Sequence, residues 1–542
     1  MSRVIFDNSP VAPVFNPIRA DIACFVGLVR VLAGATVPAS VAAWLRSLGY
    51  SSGPAPYPNQ IATLTNIPIP VNSYGEFTAL FDDGTTGSGF GTDYLATGVR
   101  SFFAQGGRKC YIVRVDDPVG PDDTPQTLAA KLRELLPNGT FAPDQAQSWT
   151  GVGSLSVLED ASFLLTPDLP VLSASTPSGA AGQTPDPATG PEEFVVCSQG
   201  SSNVPQNQPS PPAAAAAPRL AAADYTNWAA SVAAILNYLS SGVLNHQLHL
   251  REVQFVAAFP MPLELDPATA AETVSTAAIA QDIHAVIAAQ MPENVIPAIG
   301  SVPPGNISSS FLQLAYPWLK TSGSGILLEQ FEAPDGAMAG LLARNALTRG
   351  AFTSATKVAP AEIYDVSPEL PAQEMASSAQ PLVWGANPVQ AKALIERISL
   401  FGFTPSGLRL LSDVTAYPGE SYRSGPVNRL VSVICRAARQ MGESAVFQDN
   451  GPALWGRVQR FLQNLMTRLW TLNALDGDTV SDAFSVRCDK TTMTQNDLDN
   501  GRLIAYVTFT AASTIETITV QLAMETSGTS AQQITATLAE AS

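Results

Sequence analysis

Histidine is almost missing from this 542-residue chain, with only His246, His249 and His284 present. A hydrolytic triad needs a base beside its nucleophile, and the Gly-x-Ser-x-Gly elbow that presents a nucleophilic serine is missing as well. Cysteine is scarce. Cys24, Cys110, Cys197, Cys435 and Cys488 are odd in number, widely spaced and without a Cys-x-x-Cys pair. That argues against a disulfide framework or a zinc knuckle and for reduced, mostly buried thiols in a protein made in a cytosol. No window approaches ~18 uninterrupted apolar residues, the length a membrane-spanning helix needs. MSRVIFDNSPVAPVF also lacks the apolar core of a signal peptide. Positive charge is in deficit, 29 Lys and Arg against 46 Asp and Glu for a net charge of −17. That balance argues against a nucleic-acid partner, because neutralising phosphates takes an excess of Lys and Arg.

What is present is ordinary folded-protein composition, 46% apolar and 14% charged, in a chain long enough for two or more domains. Short apolar runs at Ile22–Val29, Lys109–Val115, Ser162–Leu165, Glu252–Phe259, Val295–Ile299 and Gly325–Phe331 read as buried strands. They alternate with helical patterns at Asp93–Gln105, Tyr225–Leu239 and Thr269–Gln290. Strand–helix alternation on this scale predicts an α/β domain around a mostly parallel sheet, assigned to residues 21–375. Residues 168–219, with SSNVPQNQPSPPAAAAAP at their extreme, are expected to form a surface insertion that buries little. Thr356–Gln380, rich in proline, reads as a joint. Beyond it a compact α+β domain is expected over residues 376–522. Its helices are placed at Pro388–Phe401, Val427–Met441 and Pro452–Leu472, the second ended by Gly442. Its strands are placed at Gly407–Ser412, Ser444–Gln448, Ala483–Cys488, Leu503–Thr510 and Thr514–Leu522. Residues 1–20 and 523–542 lie outside both domains.

The candidates for chemistry are weak. His246 and His249 lie three apart with Glu252 in register, a metal-like spacing at a helix end where histidines are common for other reasons. Gly87-Ser-Gly89-Phe-Gly91 lacks the third glycine and the Lys-Ser/Thr ending of the phosphate loops. In FSVRCDKTTMTQNDLDNGRL, Gln495 and Val507 stand where a calcium loop needs carboxylates. There, Thr494 and Asp497 instead predict a capping box over a short helix that Gly501 ends. No catalytic residue, metal site or cofactor is assigned.

PALWGRVQRFLQNLMTRLW carries the strongest signal. Leu454, Val458, Phe461, Leu462, Leu465 and Leu469 make one apolar stripe. Arg457, Arg460, Asn464 and Arg468 line another face, with no acidic residue between Pro452 and Leu475. On so acidic a chain this basic face is either a solvated helix side or one that meets an acidic partner surface. The β-prone Val4, Ile5 and Phe6, and the alternating strands carrying Ile504, Tyr506, Ile515, Ile518 and Val520, are candidates for strand exchange between copies.

Several segments resemble the contractile tail sheath proteins of bacteriophages and of phage-tail-like injection systems. They are ADIACFVGLV (20–29), IPVNSYGEFTALFD (69–82), DYLATGVRSFFAQGGRKCYIVRV (93–115), AYPWLK (315–320) and GLLARNALTRGAF (340–352). VNRLVSVICRAARQ, AVFQDNGPALWGRVQRFLQNLMTRLW and AFSVRCDKTTMTQNDLDNGRLIAYVTF follow in the family's order. Three features depart from the family: an N-terminus without a Pro-Gly-Val-Tyr-like opening, the insertion at 168–219, and the extension after residue 522. The resemblance implies a first domain of subtilisin-like fold, extended terminal arms and no enzymatic activity. It also implies six-fold rings stacked helically around an inner tube protein, with baseplate and terminator proteins at the ends and no direct membrane insertion. Assembly would take place in a bacterial cytoplasm, in a phage tail or a particle that is released. The basic face would then meet the inner tube. The alternatives are an active subtilisin-like hydrolase and a sheath-like baseplate component that does not polymerise.

Overall fold

The structure, a computed structural model, describes residues 19–50, 59–85, 92–120, 122–137, 149–174, 217–220, 222–241, 248–262, 307–327, 329–370, 375, 394–446, 448–512 and 517–525. Eight strands make the central sheet: β1 (Ala23–Leu28), β2 (Pro68–Val71), β3 (Cys110–Asp116), β4 (Phe163–Leu165), β5 (Gln254–Ala258), β6 (Leu312–Tyr316), β7 (Ser399–Thr404) and β8 (Gly407–Leu410). Their spatial order is β8-β7-β6-β5-β4-β1-β3-β2. Every pairing from β7 to β3 is parallel, and β8 and β2 close the two edges antiparallel.

The apolar runs explain the layering. All six residues of β1 are buried, as a strand covered on both faces requires. Alternate side chains point to opposite faces. Cys24, Val26 and Leu28 enter a core with Trp228, Val232 and Leu236. Ala23 and Phe25 enter the other, with Phe102, Met338 and Leu342. Helix α2 (Ala222–Ser241) therefore covers one face, while α1 (Tyr94–Ala104) and α3 (Pro334–Thr348) cover the second. The mostly parallel α/β architecture is as the alternation predicts.

Several local expectations fail for physical reasons. The run predicted as a helix at Pro388–Phe401 ends in strand β7, where Leu400 and Phe401 are buried beside β6. Short apolar runs do not separate the two periods. The β7–β8 hairpin thus belongs to the central sheet, and the boundary drawn at residue 376 cuts the first domain short. Gly325–Phe331 is not a strand but starts as a 3-10 turn, Ser324–Ile326, stabilised when the Thr321 N–H donates to the Ser324 hydroxyl. The insertion is narrower than 168–219. Asp168, Leu169 and Leu172 at its start and Ala217 at its end are core residues. Its middle, like Val295–Ile299, Thr269–Gln290 and Gly87–Gly91, lies outside the described residues.

The second domain opens with α4 (Gly425–Ala445), which runs through Gly442 and so replaces the strand expected at Ser444–Gln448. Continuing the helix buries Ala445 and pairs Arg439 with Glu443 one turn on. Then come α5 (Pro452–Thr471) and a three-stranded antiparallel sheet of β9 (Phe484–Arg487), β10 (Arg502–Thr510) and β11 (Thr517–Glu525), with β10 in the middle. Its core is separate, built from Val458, Leu462, Met466, Val507 and Phe509 among others.

Helices α1 and α3 touch backbone to backbone. A Cβ on Gly336 would lie 2.4 Å from the Gly98 carbonyl oxygen, and one on Gly340 would lie 2.6 Å from that of Phe102. Overpacking a tight contact costs about 1–3 kcal/mol. Gly336→Ala is therefore expected to lower the unfolding free energy of the first domain by that order, seen as a lower midpoint in chemical denaturation. An unchanged midpoint in chemical denaturation would show the helices can separate freely.

Candidate assembly surfaces

Helix α5 starts where Gly451 leaves an extended backbone and Pro452 takes the first helical position. Leu454, Val458, Leu462, Leu465, Met466 and Leu469 are buried, with Phe461 half-buried at the stripe's margin. Two tryptophans pin its ends. The Trp455 Nε1–H donates to Asn450 Oδ1 at 2.8 Å, and that of Trp470 donates to the Gly477 carbonyl at 3.0 Å. Asn450 donates in turn to the Arg502 carbonyl at 3.0 Å, tying the helix start to β10. The opposite face carries Arg457, Arg460, Asn464 and Arg468, all exposed. None of the three arginines forms an ion pair among the described residues. Beside this face an open groove runs to β9, lined by Asn464, Thr467, Thr479, Ser481 and Ser485.

The candidate strand-exchange residues are placed unevenly. Ile504 and Tyr506 sit on β10, which is paired on both sides, so they do not form an open edge. All three strands were expected, but not that β9 pairs with the free side of β10. Ile518 and Val520 lie on β11, an edge strand. Val4, Ile5, Phe6 and Ile515 lie outside the described residues. The outer side of β9 is partly occupied, since the Phe484 N–H donates to the Val480 carbonyl and Gln459 Nε2 donates to that of Val486. The QNDLD helix has the capping box read from the sequence. Thr494 accepts from the Asp497 N–H, and the Asp497 carboxylate accepts from the Thr494 N–H. Gly501 follows at φ +68°.

The remaining candidates for chemistry are already engaged. The His249 ring nitrogen lies 3.2 Å from the Leu155 carbonyl oxygen, and burial pulls its pKa down to about 4. Glu252 is held by Arg436 and Arg439 at 3.2 and 2.7 Å, which leaves no open metal position on it. His246 and His284 lie outside the described residues.

Three deeply buried carboxyl groups went unnoticed in the sequence. Asp168 accepts from the Leu28 N–H at 2.7 Å. Glu332 is held between the hydroxyls of Ser101 and Thr321. Asp335 accepts from the Gly336 N–H at 2.9 Å. Burial pushes all three up, Glu332 to about 8 and Asp335 to about 7, while Asp168 is also raised by Asp93 and Asp335. A carboxyl that holds its proton more tightly when folded contributes stability below its unfolded pKa. For Glu332 that contribution is complete below about 4.5 and is lost as pH rises through about 8. The thermal midpoint of the chain is expected to fall between pH 5 and 8.5, and Glu332→Gln to flatten that slope. Equal slopes for the two in scanning calorimetry would refute the assignment.

No protein-family model and no curated protein matches the chain. Solved structures do. A chain of the anti-feeding prophage baseplate, six-fold symmetrised, superposes at TM-score 0.50 with 17% identity, over 94% of each chain. A chain of that baseplate in its contracted state gives 0.50 and 17%, over 93% of this chain and 94% of that one. The helical sheath of the same particle in its contracted state gives 0.49 and 16%, over 94% and 96%. The chain has the fold of those two baseplate chains. The alignment runs over nearly the full length of both chains.

Proposed function

We propose that this chain is a structural, non-enzymatic subunit of a contractile sheath, assembling as six-fold rings stacked helically around an inner tube. On triggering, the sleeve shortens and drives the tube through a target envelope. The observation that carries this reading is the superposition over 94% of both chains with a subunit of a contractile particle. Its partners would be further copies of itself, the tube protein, and baseplate and terminator proteins. Assembly would occur in a bacterial cytoplasm, within a phage tail or a particle that is later released. The reading includes a first domain related to subtilisin in fold, its hydrolytic machinery replaced by structural contacts.

Two surfaces would do the assembly work. The arginine face of α5 would bear on the acidic exterior of the tube. Exposed charge pairs are weak and screened singly, which suits a sleeve that must hold its tube and then release it. Extended arms from residues 1–20 of one copy would add to the open edge of β11 on another, linking subunits by tethers that survive a change of helical pitch. Contacts of this head-to-tail kind do not close between stacked rings and so build a helix.

A second reading, a baseplate subunit that does not polymerise, is supported by the baseplate setting of two of the superposed chains. Negative-stain microscopy of the chain alone and with its tube protein separates the two. Striated hollow sleeves with six-fold end views are the expected result, and discrete monomers in both conditions reject the sheath reading. Arg457→Glu with Arg460→Glu is expected to abolish loading on the tube while leaving the circular dichroism spectrum and melting midpoint unchanged. Undiminished loading would remove α5 from the tube interface.

A further inference from the structure

Helix α4 presents three arginines to the first domain. Arg429 grips Asp413 with both terminal nitrogens, at 3.0 and 2.7 Å, and reaches the Ala351 carbonyl. Arg439 shares Glu252. Arg436, between them on the same face and 2% exposed, does something different. Its Nε–H donates to Glu252 at 3.2 Å and its Nη2 to the Ala161 carbonyl at 2.7 Å. Its Nη1 donates to the Ser162 hydroxyl at 3.0 Å and to the backbone carbonyl of Arg19 at 2.8 Å. One side chain thus joins the second domain to the start of β4, to the segment before β5, and to the residue from which residues 1–18 depart.

We infer that Arg436 is a coupling residue, which ties the root of the N-terminal arm to helix α4 so that a pull on the arm loads both domains at once. The inference rests on the strand-exchange reading above for the source of the pull. Only residues 19–22 separate the arm from β1. Without the Arg436 contact, tension would enter through the end of β1 and the small apolar contact of Ala20 alone. With it, the same tension reaches α4, whose other side packs on α5 and the small sheet. The neighbouring Ala20 adds a small apolar contact with Ala351 and Val433. A guanidinium suits the task because its planar fork offers five donors in fixed directions, whereas a lysine ammonium is a single point of three. The fold does not hang on this residue alone. Glu252 keeps Arg439 when Arg436 is replaced, and Asp413 keeps Arg429.

The test is Arg436→Lys in the full chain, with Ser162→Ala as a milder variant that removes one acceptor from Nη1. Hydrogen exchange of a peptide covering residues 19–28 is expected to quicken by roughly tenfold in Arg436→Lys and by less in Ser162→Ala, the scale of one lost charge-assisted hydrogen bond. Peptides from β10 should exchange as in the native chain. Assembled with tube protein, Arg436→Lys sleeves should form but contract incompletely. Unchanged exchange at 19–28 overturns the coupling. Faster exchange with full contraction overturns the transmission of tension. If the native chain itself forms no sleeves, the sheath reading fails, and the exchange measurement still decides whether Arg436 anchors Arg19.

Discussion

One carboxylate serving two buried arginines sets how the two domains of this chain sit together. Glu252 lies just before β5, in the middle of the parallel sheet, and it faces α4 of the second domain. An arginine buried without an acceptor is so costly that α4 can occupy only the position and rotation that bring Arg436 and Arg439 onto Glu252. Removing one partner from such a buried pair typically costs about 3–5 kcal/mol. A second pair, Arg429 with Asp413, fixes the helix about two turns upstream of Arg436. The seam is polar, with a small apolar patch at Val433, so its strength is directional: it resists sliding more than an apolar contact of the same area would. For a subunit proposed to transmit force, that is the useful property.

The parallel sheet was legible because its strands are buried on both faces, and such strands are continuous apolar runs bounded by turns. The ends of β1, β3, β4 and β5 fall within one or two residues of those read from the sequence. The misplaced elements have a common cause. At 399–401 and 444–446 a short stretch gives no clear period, and the neighbour it packs against decides between helix and strand. For β7 the neighbour is β6; for the end of α4 it is the core that takes Ala445. The capping box at Thr494 and Asp497 is local chemistry within four residues, and there the sequence was enough.

The assembly surfaces divide along the same line. The arginine face of α5 could be read in advance, because a helix places positions 457, 460, 464 and 468 together whatever surrounds it. The open edge could not, because it depends on which strands pair. β9 was read as a strand, but nothing local says that it lies beside β10 and takes one of its two sides. The arginine–glutamate seam was invisible for the stronger reason that its partners are 184 and 187 residues apart in the chain. Buried carboxyls such as Glu332 share that obscurity: a glutamate in FEAPDG reads as a surface residue until the fold places Ser101 and Thr321 around it.

Charge organises these surfaces in a way that follows from the totals. With a net charge of −17, copies of the chain repel one another over most approaches. Association therefore favours routes that avoid bringing acidic faces together, and backbone pairing at a strand edge is one, since it needs no charged side chain. Repulsion acts on every copy in the stack and shortens with the Debye length, about 8 Å at physiological salt. In the proposed sheath, an extended lattice held by backbone pairing and opposed by like charge would be strained in the sense that matters for contraction: tethers would keep neighbours connected while the bodies stay free to settle into a different mutual packing. The arginine face of α5 stands outside this balance, on a helix with no acidic residue between Pro452 and Leu475. Tube binding and subunit separation can then be tuned by different residues, and so need not be lost together.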